Sequence, residues 1–120
     1  ASLDVLDKMS KSLVEKELIG LGLFSEEDVK NQDSKNPCYK KYFMHGVNHH
    51  IGLDVHDVGD RNDVLAEGMV LTCEPGIYIP EESLGVRLEN DILITQGGPV
   101  NLMENIPIEV DEIESLMAAR

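Results

Sequence analysis

The hydrophobic period of this 120-residue chain changes once, close to residue 43, and that change sets the fold class before any single residue is considered. Ahead of it, Leu3, Leu6, Met9, Leu13, Val14 and Leu18 recur at helical steps, predicting a helix over 2–19 with these residues on its inner face. Ser2 stands where a cap is needed, and Gly20 and Gly22 where the helix must stop. Ser25-Glu-Glu-Asp28 reads as a second cap followed by acidic residues in a first turn, so a short helix is expected there. Residues 31–37 are polar and loop-like, and 38–42 carry a brief helical turn. Beyond this point the pattern becomes extended. Residues 49–56 read as an extended segment broken by Gly52. Met69–Cys73 alternates as a strand, with Met69, Leu71 and Cys73 on one face and Val70, Thr72 and Glu74 on the other. Gly85–Thr95 reads as a second strand, setting Val86, Leu88, Ile92 and Ile94 against Arg87, Glu89 and Asp91. Pro75-Gly76 and Gly97-Gly98-Pro99 punctuate as turns. A closing helix is expected over 109–119, with Val110, Ile113, Leu116 and Met117 facing inward. The class is α+β: helices on one side of a small, mainly antiparallel sheet.

The length suits one domain. Aromatic residues make up only 4% and Trp is absent, so the core must rest on Leu, Ile, Val and Met. A formal net charge of -13 argues against a nucleic-acid partner, which would want clustered Lys and Arg. No apolar run approaches a membrane span, and no charged-then-apolar leader opens the chain. Cys38 and Cys73 make neither a disulfide framework nor a cysteine-rich zinc site. The expected setting is reducing and cytoplasmic. Ala1 leads straight into a helical pattern, as in a segment taken from a longer chain.

The chemistry-bearing residues concentrate after the change of period. His45, His49, His50 and His56 fall in Met44-His-Gly-Val-Asn-His-His-Ile-Gly-Leu-Asp-Val-His-Asp-Val-Gly59. Glu74 lies in Leu71-Thr-Cys-Glu-Pro-Gly76, and Glu89 in Val86-Arg-Leu-Glu-Asn-Asp91. One imidazole and two carboxylates on neighbouring extended segments are donor types that a catalytic divalent metal uses. Strand alternation puts Glu74 and Glu89 on the more polar faces, able to share one cleft, with His49 arriving from the preceding segment. Cys73 points away and is expected to be a buried thiol. His45 and His49 have the spacing of a helical zinc-protease pair, but the Glu that should follow the first histidine is missing. Asp57, Asp60 and Asp63 lack the Gly and terminal Glu of a calcium loop. Taken singly, each residue has a structural explanation: a hydrogen-bonded histidine, a solvated acid, or an Arg87 pairing with Glu89 or Asp91. His50 is expected to line the cleft or to be structural.

Together, the segments 44–59, 68–79 and 85–95 resemble the pita-bread metallopeptidases, and most closely their proline-specific branch of Xaa-Pro aminopeptidase and prolidase. Phe43-Met-His-Gly46 and the ending 101–117 look most like the aminopeptidase. The resemblance implies that residues 1–120 form the C-terminal half of a catalytic domain with that fold, its sheet curved. It implies His49, Glu74 and Glu89 as metal ligands, Glu89 bridging two divalent cations, usually manganese. Glu74 would also take the proton from a bridging water, so that hydroxide attacks the scissile carbonyl. His45 and His56 would line the substrate pocket, and Arg87 would support the Glu89 carboxylate. The implied substrates are peptides with proline second, and the implied parent enzyme is a homo-oligomer. Family members take two aspartate ligands from an earlier segment, and Asp4, Asp7, Asp28 and Asp33 stand in helical or loop contexts instead. The chain alone is therefore expected to bind metal weakly and to hydrolyse little. Prolidase activity, a non-catalytic binding module and a self-associating half-domain are the competing expectations.

Overall fold

The computed structural model describes residues 1–118. Helix α1 spans Leu3–Gly20, and the Ser2 hydroxyl accepts from the Val5 N–H at 3.4 Å. It ends where Gly22 takes a φ of +74°, the left-handed conformation that releases the chain from a helix. Its inner face differs in part from expectation. Leu3 and Leu18 are buried together with Asp7, whereas Met9 and Leu13 are exposed. The buried line therefore descends through Leu3, Asp7 and Leu18, and the Met9–Leu13 part of the stripe has nothing above it. Helix α2, Glu26–Asn31, is closed by a reciprocal box in which Ser25 and Asp28 bond each other's backbone N–H. A 3-10 turn, Cys38–Lys41, leads into the buried pair Tyr42 and Phe43.

The β part consists of two small antiparallel sheets. β1 (Val70–Cys73) pairs with β4 (Asn90–Thr95), which pairs with β5 (Gly98–Asn101). β2 (Gly76–Ile79) pairs with β3 (Leu84–Arg87). The single strand expected over 85–95 is thus two strands in different sheets, with a joint at Leu88-Glu89. Glu74-Pro75 forms the matching joint between β1 and β2. Pro75 cannot donate to a ladder, and the Glu74 N–H donates sideways to the Val47 carbonyl at 2.8 Å. The ladder breaks there, and Pro75-Gly76 opens a strand instead of a turn. Gly98, at φ +118°, turns β4 into β5.

The histidine segment docks along the free edge of β1. Thr72 N–H donates to the His49 carbonyl at 3.0 Å, and His50 bridges Leu71 in antiparallel sense. Beyond Ile51 the extended expectation fails: residues 52–56 bend, and Asp57 N–H returns to the His50 carbonyl at 3.1 Å. The core gathers Leu3, Leu18, Tyr42, Phe43, Val47 and Leu71 where α1 meets this edge. Helix α3, Val110–Ala118, leaves Val110, Ile113, Leu116 and Met117 exposed, contrary to the inward face expected of it. Its expected last residue, Ala119, lies outside the described residues. Among the described residues, no helix is long and apolar enough to cross a membrane.

Candidate metal centre and substrate cleft

The two interstrand joints define the site. Cys73 pairs with Asn90 on one side of the break and Gly76 with Arg87 on the other. This register sets Glu74 directly opposite Glu89. Like charges opposite each other on neighbouring strands destabilise a sheet unless something of opposite sign lies between them. His49 comes from the third, flanking segment. One ligand atom from each of His49, Glu74 and Glu89 lies within 4.8 Å of the others.

The tautomer of His49 follows from its partners. Nδ1 lies 2.8 Å from the His50 carbonyl oxygen, which can only accept, so Nδ1 carries a proton. Nε2 then faces Glu74 Oε1 at 3.1 Å. A cation held by both atoms would reconcile the two facing lone pairs. A backbone carbonyl on the distal ring nitrogen is the support that metal-bound histidines ordinarily have. Thr72, 2% exposed, ties the group together, its hydroxyl accepting from the His49 N–H at 3.1 Å and reaching Glu74 Oε1 at 3.4 Å. The donor set of one nitrogen and two carboxylates fits a divalent cation, and only the Glu89 side is exposed.

The remaining predicted residues surround an open cleft of about 370 Å³ that includes His45, His49, His56, Glu74 and Arg87. His56 returns on the 52–56 bend and packs edge-on against His49, with ring centroids 4.5 Å apart. His45 is held from both ends: Nδ1 donates to the Gly46 carbonyl at 2.6 Å, and Nε2 meets the Tyr78 hydroxyl at 3.0 Å. Gly76 makes this possible, since a Cβ there would come within 2.7 Å of both His45 Nε2 and the Tyr78 hydroxyl. The Arg87 guanidinium lies 3.8 Å from Glu74 Oε2, so its ion pair is with Glu74 and not with Glu89 as expected. His50 packs its ring where a Cβ on Gly59 would stand, a structural position. Cys73 is exposed instead of buried, on the side of β1 away from the cluster, and partial desolvation of its sulfur followed by the Glu74 charge pushes its pKa up. Thr72, Tyr78 and Arg61 also belong to the site and were not singled out in the sequence. Alternation alone could have found Thr72, which shares a face with Glu74. Nothing local ties Tyr78 to His45, 33 positions earlier.

A cluster of one imidazole and two carboxylates at a break between antiparallel ladders has the donor types of a divalent-metal protein, and comparison with known proteins gives the family. The chain belongs to metallopeptidase family M24, whose description residues 1–96 match; membership implies divalent metal ions. Among curated relatives, the Xaa-Pro aminopeptidase of Escherichia coli is 44% identical over 114 residues, covering 85% of this chain and 25% of the relative. Human Xaa-Pro aminopeptidase 3 is 37% identical, covering 96% of this chain and 24% of the relative. Among solved structures, proline aminopeptidase P II from Yersinia pestis superposes with a TM-score of 0.80 at 36% identity, covering 99% of this chain and 30% of that one. Zinc-substituted Escherichia coli aminopeptidase P in complex with product gives a TM-score of 0.77 at 37% identity, covering 98% and 29%. The architecture is therefore that of the aminopeptidase P, or pita-bread, fold over the aligned part. The chain spans about a quarter of the length of the curated relatives it matches.

Proposed function

We propose that this chain is the C-terminal half of the catalytic domain of a dinuclear-metal Xaa-Pro aminopeptidase. The observation that carries the reading is the register at the broken ladder, which sets Glu74 opposite Glu89 with the imidazole of His49 beside them. His49, Glu74 and Glu89 would hold the metal, Glu89 shared between two ions, and manganese is the ion we assign. Bound divalent cations supply Lewis-acid chemistry: a water acidified toward neutrality and a polarised carbonyl. The chain's own residues do the rest. Glu74 would accept the proton released by the attacking water, and the Arg87 guanidinium, 3.8 Å from its Oε2, orients the carboxylate. His45, fixed by Tyr78, and His56, packed edge-on against His49, orient the peptide around the prolyl nitrogen. Substrates are peptides with proline second, the location is cytoplasmic, and the complete enzyme is a homo-oligomer.

Hydrolysis of Xaa-Pro-Xaa peptides by the full-length protein with manganese tests the reading. Glu89→Gln and His49→Ala should each lower kcat/KM by at least about a thousandfold, the scale expected when several kcal/mol of transition-state stabilisation is lost. Full turnover in either variant overturns the ligand assignment. Robust turnover by the 120-residue chain alone overturns the half-domain assignment. Prolidase activity is the second reading, and one observation favours it. Arg61 reaches the same cleft from the loop after His56, giving a guanidinium for the free carboxylate of a dipeptide. Cleavage of Xaa-Pro in preference to Xaa-Pro-Xaa would select it.

A further inference from the structure

Next to the cleft lies a second cavity of about 310 Å³, which shares His45, Gly46 and Arg61 with the first and adds Asp7, Lys11 and Lys40. Its charge is opposite to that of the chain as a whole. The protein has 10 Lys and Arg against 23 Asp and Glu, yet three of those cations line this one cavity. Asp7 is the sole acid on its wall. It is 8% exposed, its Oδ2 is bonded to the Lys11 ammonium, and its Oδ1 is buried without a partner. That oxygen lies 3.6 Å from where a Cβ on Gly46 would stand. Burying a carboxylate one-sidedly on an amphipathic helix is unfavourable unless its cation is kept in place. Its structural effect is to hold Lys11 at the cavity wall. With one acid against three cations, the wall keeps a net positive charge. The Lys40 ammonium is bonded only to a backbone carbonyl, that of Lys35, at 2.9 Å. Arg61 likewise donates to a carbonyl, that of Asn48, at 3.3 Å. Among the described residues, neither cation has a carboxylate within ion-pair distance, in a chain with a large surplus of acids.

We propose that this cavity is an anion-selecting subsite for the part of the peptide that follows proline, with Lys40 and the Asp7-anchored Lys11 as its specificity-determining residues. The inference rests on the peptidase reading above and names the substrates within it: Xaa-Pro peptides carrying a carboxylate beyond the prolyl residue. The cavity adjoins the cleft at His45 and Gly46 and includes none of the three candidate ligands, so a peptide held with its proline at His45 has this space on the side away from the candidate metal. The cavity volume suits one amino-acid side chain or a chain end.

The test is calorimetric titration of the full-length, metal-loaded protein with product-like dipeptides. Prolyl-glutamyl amide should bind about fivefold more tightly than prolyl-alanyl amide, the few-fold gain typical of partly exposed ion pairs, and prolyl-lysyl amide more weakly than either. The free acid prolyl-alanine, compared with its amide, separates a terminal carboxylate from an acidic side chain as the bound group; a gain in either arm supports the subsite. Lys40→Glu should abolish or invert the order. Lys11→Gln should reduce it, and because that change leaves Asp7 buried without its cation, Lys40→Glu is the deciding variant. Equal binding of the neutral and acidic ligands, or an acid preference that survives Lys40→Glu, overturns the proposal. Titration needs no turnover. Failure to cleave any Xaa-Pro peptide would therefore count against the peptidase reading, and loss of selectivity against the subsite.

Discussion

At the scale of single residues, the supporting contacts are as informative as the candidate ligands. Thr72 is the example: one buried hydroxyl fixes the backbone of His49 and the carboxylate of Glu74. Thr72→Val keeps shape but leaves the His49 N–H without its partner, which should cost about 1–3 kcal/mol in stability. It should also weaken divalent-metal binding by roughly 10–100-fold, the usual effect of losing an outer-shell support. Urea denaturation and metal titration check the two parts separately, and unchanged metal affinity would remove Thr72 from the centre. Gly76 makes a second case. Its neighbours leave no room for a methyl group, so Gly76→Ala must displace His45, Tyr78 or the β2 backbone, at about 1–3 kcal/mol for overpacking. The expected readout is a shift of the His45 ring signals in the NMR spectrum together with a lowered midpoint of denaturation. Ring signals that stay unmoved would mean that the strand, not the His45–Tyr78 pair, absorbs the methyl.

At the scale of elements, the outcome divides by whether the cause is local. The cap at Ser25-Glu-Glu-Asp28 was legible because the Ser25 and Asp28 side chains satisfy N–H groups three residues away. It also carries a pH dependence of fixed sign. Hydrogen bonds from the Ser25 hydroxyl and then its N–H hold the Asp28 carboxyl below its ordinary value of 3.8. Its stabilising effect is therefore complete above that value and lost as pH falls through the lower folded one. The protection of the Ser25 amide, taken relative to its intrinsic exchange rate, should hold down to pH 3.8 and fall only below it, and Asp28→Asn should remove the step; protection already lost above pH 3.8 would contradict the capping contact. The three candidate ligands were singled out because their short frames resemble the family's motifs, alternation adding only that Glu74 and Glu89 could share a cleft. The broken strand was not legible. Val86, Leu88, Ile92 and Ile94 alternate as one strand would, and the break arises because the partner strand contains Pro75, whose missing N–H lies far off in sequence. Likewise the return of His56 onto His49 depends on the Asp57–His50 backbone bond, which no periodicity announces.

At the scale of the molecule, the loose packing explains why exposed apolar residues are so numerous. The Cα radius of gyration is 16.8 Å, whereas a compact domain of this length would have about 14 Å. One face of the β1–β4–β5 sheet forms an apolar groove of about 450 Å³ with Leu71, Ile92, Ile94 and Pro99 in its wall, and Ala1 sits at its margin. The inward face expected of α3 is likewise uncovered. Monomeric proteins rarely leave contiguous apolar surface of this kind open. Leu, Ile and Val placed at core spacing in the sequence are thus left uncovered among the described residues. The chain on its own should accordingly bind the dye ANS at neutral pH, with helix content intact by far-ultraviolet circular dichroism. If the proposed half-domain reading is right, co-expression with the N-terminal catalytic half of an Xaa-Pro aminopeptidase relative should suppress that binding and raise divalent-metal affinity in the same step, because both depend on one docking event. Dye binding that persists in a complex already competent for metal would show that the groove faces something other than that half.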